Sequence, residues 1–447
     1  MTACGSFWQL LVFFGCAHAV VLRAMNARLF GVATVDITPP VGVTLMGYDP
    51  RISESVGHPL RAEALACADP AGGGWLMVCA DVCGFSSPLT DRVRADVAAR
   101  TGLPASAVII TATHTHSGPH VSDALWCERS ALESAYFADL RVKLVDVAER
   151  AWHARGPGVL VTAETAAPEF GCNRRVQNVD GVWINAWSDP EGTHTGYNDP
   201  GIDLVGVRRP DGTLDALLVV FGCHPVGLGS RSLAISGDYV SYLKDALERA
   251  GGVRTALFAV GGHANIDPRV CVQADPDLVR AQGERLAALV ADALSGLEPV
   301  NGGGAGAVRE PWAFETTWAL QGRLAIYFPH AARGATVRTA LAAWGAGDLA
   351  FVGLPGETVS EYRQIFRNRS PFQRTILVSL ANDFIGYLPT DAILGQGAYE
   401  AMLSPLNPIE APLTARGEAA LTRLRASLGD PSAGAEQGCR AAGQGAS

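Results

Sequence analysis

The chain has 447 residues, of which 48% are hydrophobic and 18% charged, a balance that suits a folded protein with a large core. Its formal net charge is −9 and no basic stripe is present to neutralise phosphates, which argues against a nucleic-acid partner. Ten cysteines occur without a Cys-x-x-Cys pair, so a structural zinc ribbon is not indicated, and most of them read as small buried hydrophobes.

The N-terminus supports two accounts. Phe7–Val21 is apolar and Ala17-His18-Ala19 offers a cleavage site, so residues 1–19 read as a signal peptide of a secreted or periplasmic protein. However, no Lys or Arg precedes the apolar run, and the run is too short, and too interrupted by Gly15 and His18, for a stable membrane span. The favoured account starts translation at Met25 and expects a cytoplasmic protein.

Leu29–Asp36 reads as a strand that stops at Pro39-Pro40. Loop and strand follow through Gly42–Tyr48 and His58–Ala62. Trp75–Asp81 is a second apolar run; Asp81 at its end reads equally as a site residue or as the cap of the next helix. Thr90–Thr101 has helical spacing and is stopped by Gly102 and Pro104. The strand Ala107–Ile110 leads into Thr111–His120, where His114 and His116 share one face if the strand continues. Two imidazoles beside a Ser117-Gly118-Pro119 loop begin a metal site, and read equally as loop histidines satisfied by water.

Ala131–Ala154 is an amphipathic helix, Val159–Glu164 and Leu204–Arg208 are strands, and Asn173-Arg174-Arg175 lies in a polar loop between them. The strand Leu217–Phe221 delivers Gly222-Cys223-His224-Pro225. Gly237–Ala250 is a helix, and Ala256–Val260 is a strand ending in Gly261-Gly262-His263 and Asn265-Ile266-Asp267. Asp277–Leu294 is a helix. The strand Leu349–Leu354 precedes Pro355-Gly356-Glu357 and a helix to about Arg367, and Thr375–Leu380 leads to Asn382…Tyr387. From about Asp430 the chain is rich in Ala, Gly and Ser and reads as a disordered tail.

Apolar strands thus end repeatedly in a His, Glu, Asp or Tyr beside a Gly or Pro. His114, His224, Asp267, Glu357 and Tyr387 all stand in such places. Strands alternating with helices imply an α/β fold, a layered mixed sheet with flanking helices and a site at strand-end loops. No sequence repeat, phosphate-binding glycine loop or Gly-x-Ser-x-Gly elbow is found.

Several of these segments, in this order, resemble the catalytic domain of the neutral/alkaline ceramidase family: Asp36-Ile37-Thr38-Pro39-Pro40-Val41-Gly42, Thr113-His114-Thr115-His116-Ser117-Gly118-Pro119, His224, Pro355-Gly356-Glu357 and Asn382…Tyr387…Tyr399-Glu400. The resemblance implies one zinc per chain, held by His114, His224, Glu357 and Tyr387. It implies His116 as a group beside the metal, Arg174 as a substrate contact and Tyr399 as a second tyrosine of the site. The resemblance covers roughly Leu29 to Pro412, and with the composition of the two ends it divides the chain into a leader or mis-called extension over residues 1–28, a ceramidase-like zinc amidase domain over 29–425 and a disordered tail over 426–447. Two departures point away from ceramide itself. Asp267 stands where the family has a serine, and the chain ends before the family's further β-sandwich domain.

The expected activity is hydrolysis of a linear amide, an N-acyl compound, by metal-activated water, with His116 or Asp267 giving the leaving amine its proton and Arg174, His116 or Tyr399 facing the oxyanion. Two rival readings use the same residues. One is amide formation or acyl transfer by a lactam-forming cyclase that takes an amine or ester substrate, and the other is zinc binding without turnover. His58, His120, His194 and His263 are expected to be structural or surface residues.

Overall fold

The computed structural model describes residues 28–70, 72–121, 129–317, 319 and 332–428. The N-terminal apolar run and the tail from Asp430 lie outside the described residues.

The architecture is α/β, with mixed sheets and flanking helices as expected. Three large sheets share one topology. In the first, the order is Val108–Ala112, Gly74–Ala80, Arg61–Ala68, Leu29–Asp36, then the short Gly156–Pro157. The second runs Thr255–Val260, Leu214–Phe221, Gly201–Arg208, Val159–Ala166, Glu298–Pro299. The third runs Arg374–Val378, Leu349–Gly353, Thr336–Ala346, Ala305–Glu315. In each, three antiparallel strands are followed by a crossover helix and a fourth strand parallel to the third. The crossovers are Ser87–Thr101, Asp238–Arg249 and Glu361–Arg369. A second helix then covers the outer face: Ala131–His153, Pro276–Ala293 or Glu410–Leu428. The module recurs although the sequence does not, because the fold constrains apolar pattern and turns rather than residue identity.

The sheets turn one face toward a common core that joins Met77 and Ile109 to Leu218 and Leu257 and to Trp344, Phe351 and Ile376. The other faces carry the helices. Strands buried on both faces read as continuous apolar runs, which explains Trp75–Ala80 and Leu214–Phe221.

Buried ion pairs lock the modules together. Lys244, on the crossover helix of the second module, holds Asp81 at 2.8 Å and Glu63 at 3.0 Å in the first. Arg363, on the crossover helix of the third, holds Asp203 at 3.2 Å and Asp199 at 2.7 Å in the second. From the third module, Asp383 accepts the backbone N–H of Ser87 at 2.9 Å, at the start of the first crossover helix. Asp81 therefore neither caps that helix nor reaches the site.

The parallel strand pairs end close together. Asn382 donates its N–H to the Ile110 carbonyl at 2.7 Å and accepts the Ile110 N–H on its side chain at 2.8 Å. Ser379 donates to the Val260 carbonyl at 2.9 Å. Carboxyl ends of parallel strands are where α/β proteins assemble sites, and here three such ends meet. The six cysteines among the described residues are buried and unpaired, as small hydrophobes.

Candidate metal centre

Each module sends side chains from its strand ends into one cluster. The first contributes His114, two residues past Val108–Ala112, with a left-handed φ of 73°. That backbone is rare for a non-glycine residue and turns the ring inward. The second contributes His224, three residues past Leu214–Phe221, and His263, three past Thr255–Val260. The third contributes Glu357, in a two-residue parallel ladder that sets it opposite Tyr387. All four cluster residues are buried.

The ring orientations follow one rule. Nδ1 of His114 lies 2.6 Å from the Cys83 carbonyl, Nδ1 of His224 3.1 Å from that of Ile266, and Nδ1 of His263 2.9 Å from that of Gly261. A carbonyl can only accept, so each Nδ1 carries a proton, and a ring in its neutral form has its lone pair on Nε2. All three Nε2 atoms converge on Oε2 of Glu357, at 3.4, 3.1 and 3.7 Å for His114, His224 and His263. The four donor atoms lie within 4.8 Å of one another. Donors around a tetrahedral ion with bonds of about 2.0–2.1 Å stand roughly 3.4 Å apart, so the spacing fits a divalent cation. The Nε2 of His263 is buried and has no hydrogen-bond partner, which also fits an ion.

The electrostatics match. Burial opposes charge on both partners, but Glu357 raises the His114 imidazole well above its usual value, and the His114 and His224 rings in turn hold the Glu357 carboxyl well below its ordinary range, a place where a cation is favoured. Burial and the same cluster keep His116 and His263 well below the usual imidazole value. Both are neutral near pH 7, and neutral imidazole is the form that binds metals.

His116 borders the cluster, its Nε2 3.2 Å from Nε2 of His114. Gly47 makes room for it: a Cβ on Gly47, whose φ is +106°, would fall 2.4 Å from the ring. Arg51 donates to the His116 carbonyl, and Tyr48 meets the ring edge-on at 5.0 Å.

A cavity of about 500 Å³ opens beside the cluster, lined by Tyr48, His116, Arg174, Trp187, Val226, Asp267, Val272, Tyr387 and Tyr399. A smaller space of about 30 Å³ touches His114, Glu357, His116, Tyr387 and Tyr399, enough for a water molecule. His116, Tyr387 and Tyr399 line both.

Arg174 organises the cavity wall. The ladder between Gly171–Asn173 and Ile266–Pro268 pairs Cys172 with Asp267 and brings Arg174 alongside. Its Nε donates to Glu400 at 2.9 Å, Nη1 to Asp267 at 3.2 Å and Nη2 to the Tyr387 hydroxyl at 3.4 Å. Arg175 holds the second oxygen of Glu400, so two buried cations balance two buried carboxylates. Tyr387 meets Tyr399 edge-on at 5.4 Å, and Tyr399 meets Trp187 at 5.3 Å. Burial, reinforced by Glu357, pushes the Tyr387 phenol well above its ordinary value.

The structure thus brings His114, His224 and Glu357 together, with Tyr387 and His116 beside them and Arg174, Asp267 and Tyr399 in the cavity wall. Sequence reasoning missed His263, which was expected to be structural or surface. The signal in the sequence is partial: like His114 it follows an apolar run, but the parallel pairing of that run is visible only in the fold. Of the other three, His58 pairs with Asp245 at 3.0 Å, His120 is buried, and His194 meets the Asn173 carbonyl at 3.1 Å.

The fold is that of the ceramidases. A structure described as a ceramidase complexed with C2 superposes with a TM-score of 0.75 at 17% identity, over 90% of this chain and 76% of that one. The neutral ceramidase from Pseudomonas aeruginosa superposes with a TM-score of 0.72 at 18% identity, over 89% and 75%. No protein-family model matches the sequence, and no curated protein matches it.

Proposed function

We propose that this chain is a zinc-dependent hydrolase that cleaves a linear amide, an N-acyl compound. The observation that carries the reading is the convergence of histidine Nε2 atoms on one Glu357 oxygen, beside a space of water size and a larger, mainly apolar cavity. The shared fold with two proteins named ceramidases supports it.

His114, His224 and Glu357 would hold the ion. A bound divalent ion supplies a Lewis acid for the carbonyl and lowers the pKa of water to near neutrality. Tyr48, Val226, Val272 and Trp187 give the acyl chain an apolar wall. The charges of Arg174 and Arg175 are already matched by Asp267 and Glu400, so the cavity suits a neutral amide rather than an anion. The hydroxyls of Tyr387 and Tyr399 face the carbonyl oxygen, with Arg174 orienting the first. Neutral His116 takes the proton from the attacking water and passes it to the leaving nitrogen, which departs as the amine. The products are a carboxylic acid and an amine, with one water consumed.

The test is a panel of fluorogenic N-acyl amides of graded chain length, assayed with purified protein before and after chelation and zinc return. The reading expects cleavage that chelation abolishes and zinc restores. Zinc-loaded protein that leaves every amide intact while converting an amino ester to a lactam would replace it with the cyclase reading. Zinc binding with neither reaction would leave a binding protein.

A further inference from the structure

We infer that His263 is a direct ligand of the metal, so that the ion is held by three imidazoles and one carboxylate, while the Tyr387 hydroxyl remains outside the ligand set and faces the substrate. The inference rests on the metal-centre reading above and goes beyond it in assigning the fourth protein ligand.

Three observations carry it. First, His263 is built like the other two histidines: a backbone carbonyl takes the proton of Nδ1 at 2.9 Å, and Nε2 points at the same Glu357 oxygen. Second, Nε2 of His263 is buried without a hydrogen-bond partner, and its 3.7 Å from Glu357 exceeds a hydrogen bond. A buried polar atom left alone is costly, and a metal bond removes that cost. Third, the donors divide by side. His263 and His224 do not border the small space, whereas Tyr387 does, together with His114 and Glu357. The two histidines therefore form the closed back of the centre. Tyr387 stands on the open side, where its hydroxyl already accepts from Arg174.

This arrangement has a chemical consequence. Four protein ligands would fill a tetrahedral ion, so water and substrate would have to reach it as a fifth ligand from the open side, where Tyr387 is free to donate a hydrogen bond to the carbonyl oxygen.

The test is metal affinity, read without turnover. Apo-protein is titrated with Co²⁺ against a chromophoric chelator for the parent, His263→Ala, Tyr387→Phe and His114→Ala. The inference expects His263→Ala to lose more than the about 100-fold that loss of an outer partner costs at most, in step with His114→Ala. Tyr387→Phe should stay within about threefold of the parent. Loss in Tyr387→Phe with retention in His263→Ala overturns the inference and leaves the metal centre standing. Retention in His114→Ala as well overturns the metal centre itself. If His263→Ala fails to fold, the Cu²⁺-loaded parent decides: a phenolate-to-copper charge-transfer band places Tyr387 on the metal and sinks the inference, and its absence supports it.

Discussion

The carboxylate of Asp267 lies 3.2 Å from Nδ1 of His224, and the same oxygen accepts from Nη1 of Arg174 at 3.2 Å. One side chain therefore links a histidine of the metal cluster to the guanidinium of the cavity wall. Asp267 occupies the place where the ceramidase resemblance puts a serine, and its carboxylate lies beside the Nδ1–H that His224 gives to the Ile266 carbonyl, which suits it to hold the ring in place by its charge rather than to donate to a leaving group. Asp267→Asn keeps the shape and removes the charge. Metal affinity is expected to fall about 10–100-fold, as for other outer partners of metal-binding histidines. A competition titration measures this, and an unchanged affinity would rule out the orienting role.

Arg174 makes three separate contacts through a planar fork that lysine does not reproduce. Arg174→Lys should keep the metal but leave the Tyr387 hydroxyl without its donor. On an amide the parent cleaves, kcat/KM is expected to drop about 100-fold, the scale of losing one transition-state donor. Undiminished turnover in that variant would remove Arg174 from the reaction.

Lys244 pairs with both Asp81 and Glu63, and it shares Glu63 with Arg61. Lys244→Met leaves Asp81 without its buried ammonium and Glu63 with Arg61. The expected cost is about 3–5 kcal/mol, typical of a broken buried pair, read as a fall in the denaturant midpoint. A variant as stable as the parent would show that the network does not clamp the modules.

The long helix of the first module begins with a reciprocal cap between Ser130 and Glu133, and Glu133 also accepts the Thr44 N–H at 2.9 Å. Burial is the largest single influence on the Glu133 carboxyl and raises it, but these hydrogen bonds together outweigh it and hold it down to about 2. A depressed carboxyl stabilises the fold above its unfolded value, near 4.5, and loses that contribution as pH falls through about 2. Glu133→Gln should therefore cost about 1 kcal/mol at pH 7, the usual worth of a cap. Thermal melts of parent and variant should converge between pH 4.5 and 2. A gap independent of pH would contradict the assignment.

Much of the site was legible because strand ends advertise themselves. His224 and Glu357 each follow an apolar run and stand beside Pro or Gly, His114 follows one shortly before Gly118-Pro119, and the three crossover helices were expected near where they stand. The third sheet was harder. Thr336–Ala346 is mostly small residues buried on both faces, which gives no alternation to read. The helix Glu410–Leu428 likewise escaped, its apolar positions being diluted by Ala and Gly. The recurrence of one module three times is a property of strand order, invisible without identity between the copies. His263 was passed over because only the fold sets Thr255–Val260 beside Leu214–Phe221. Asp81 was undecidable from sequence because its partner, Lys244, lies 163 residues away.

The most direct measurement is metal content by elemental analysis of the purified protein and of His224→Ala. The account predicts about one zinc per chain in the parent and a clear loss in the variant. A parent that holds no zinc, even after reconstitution, would contradict it.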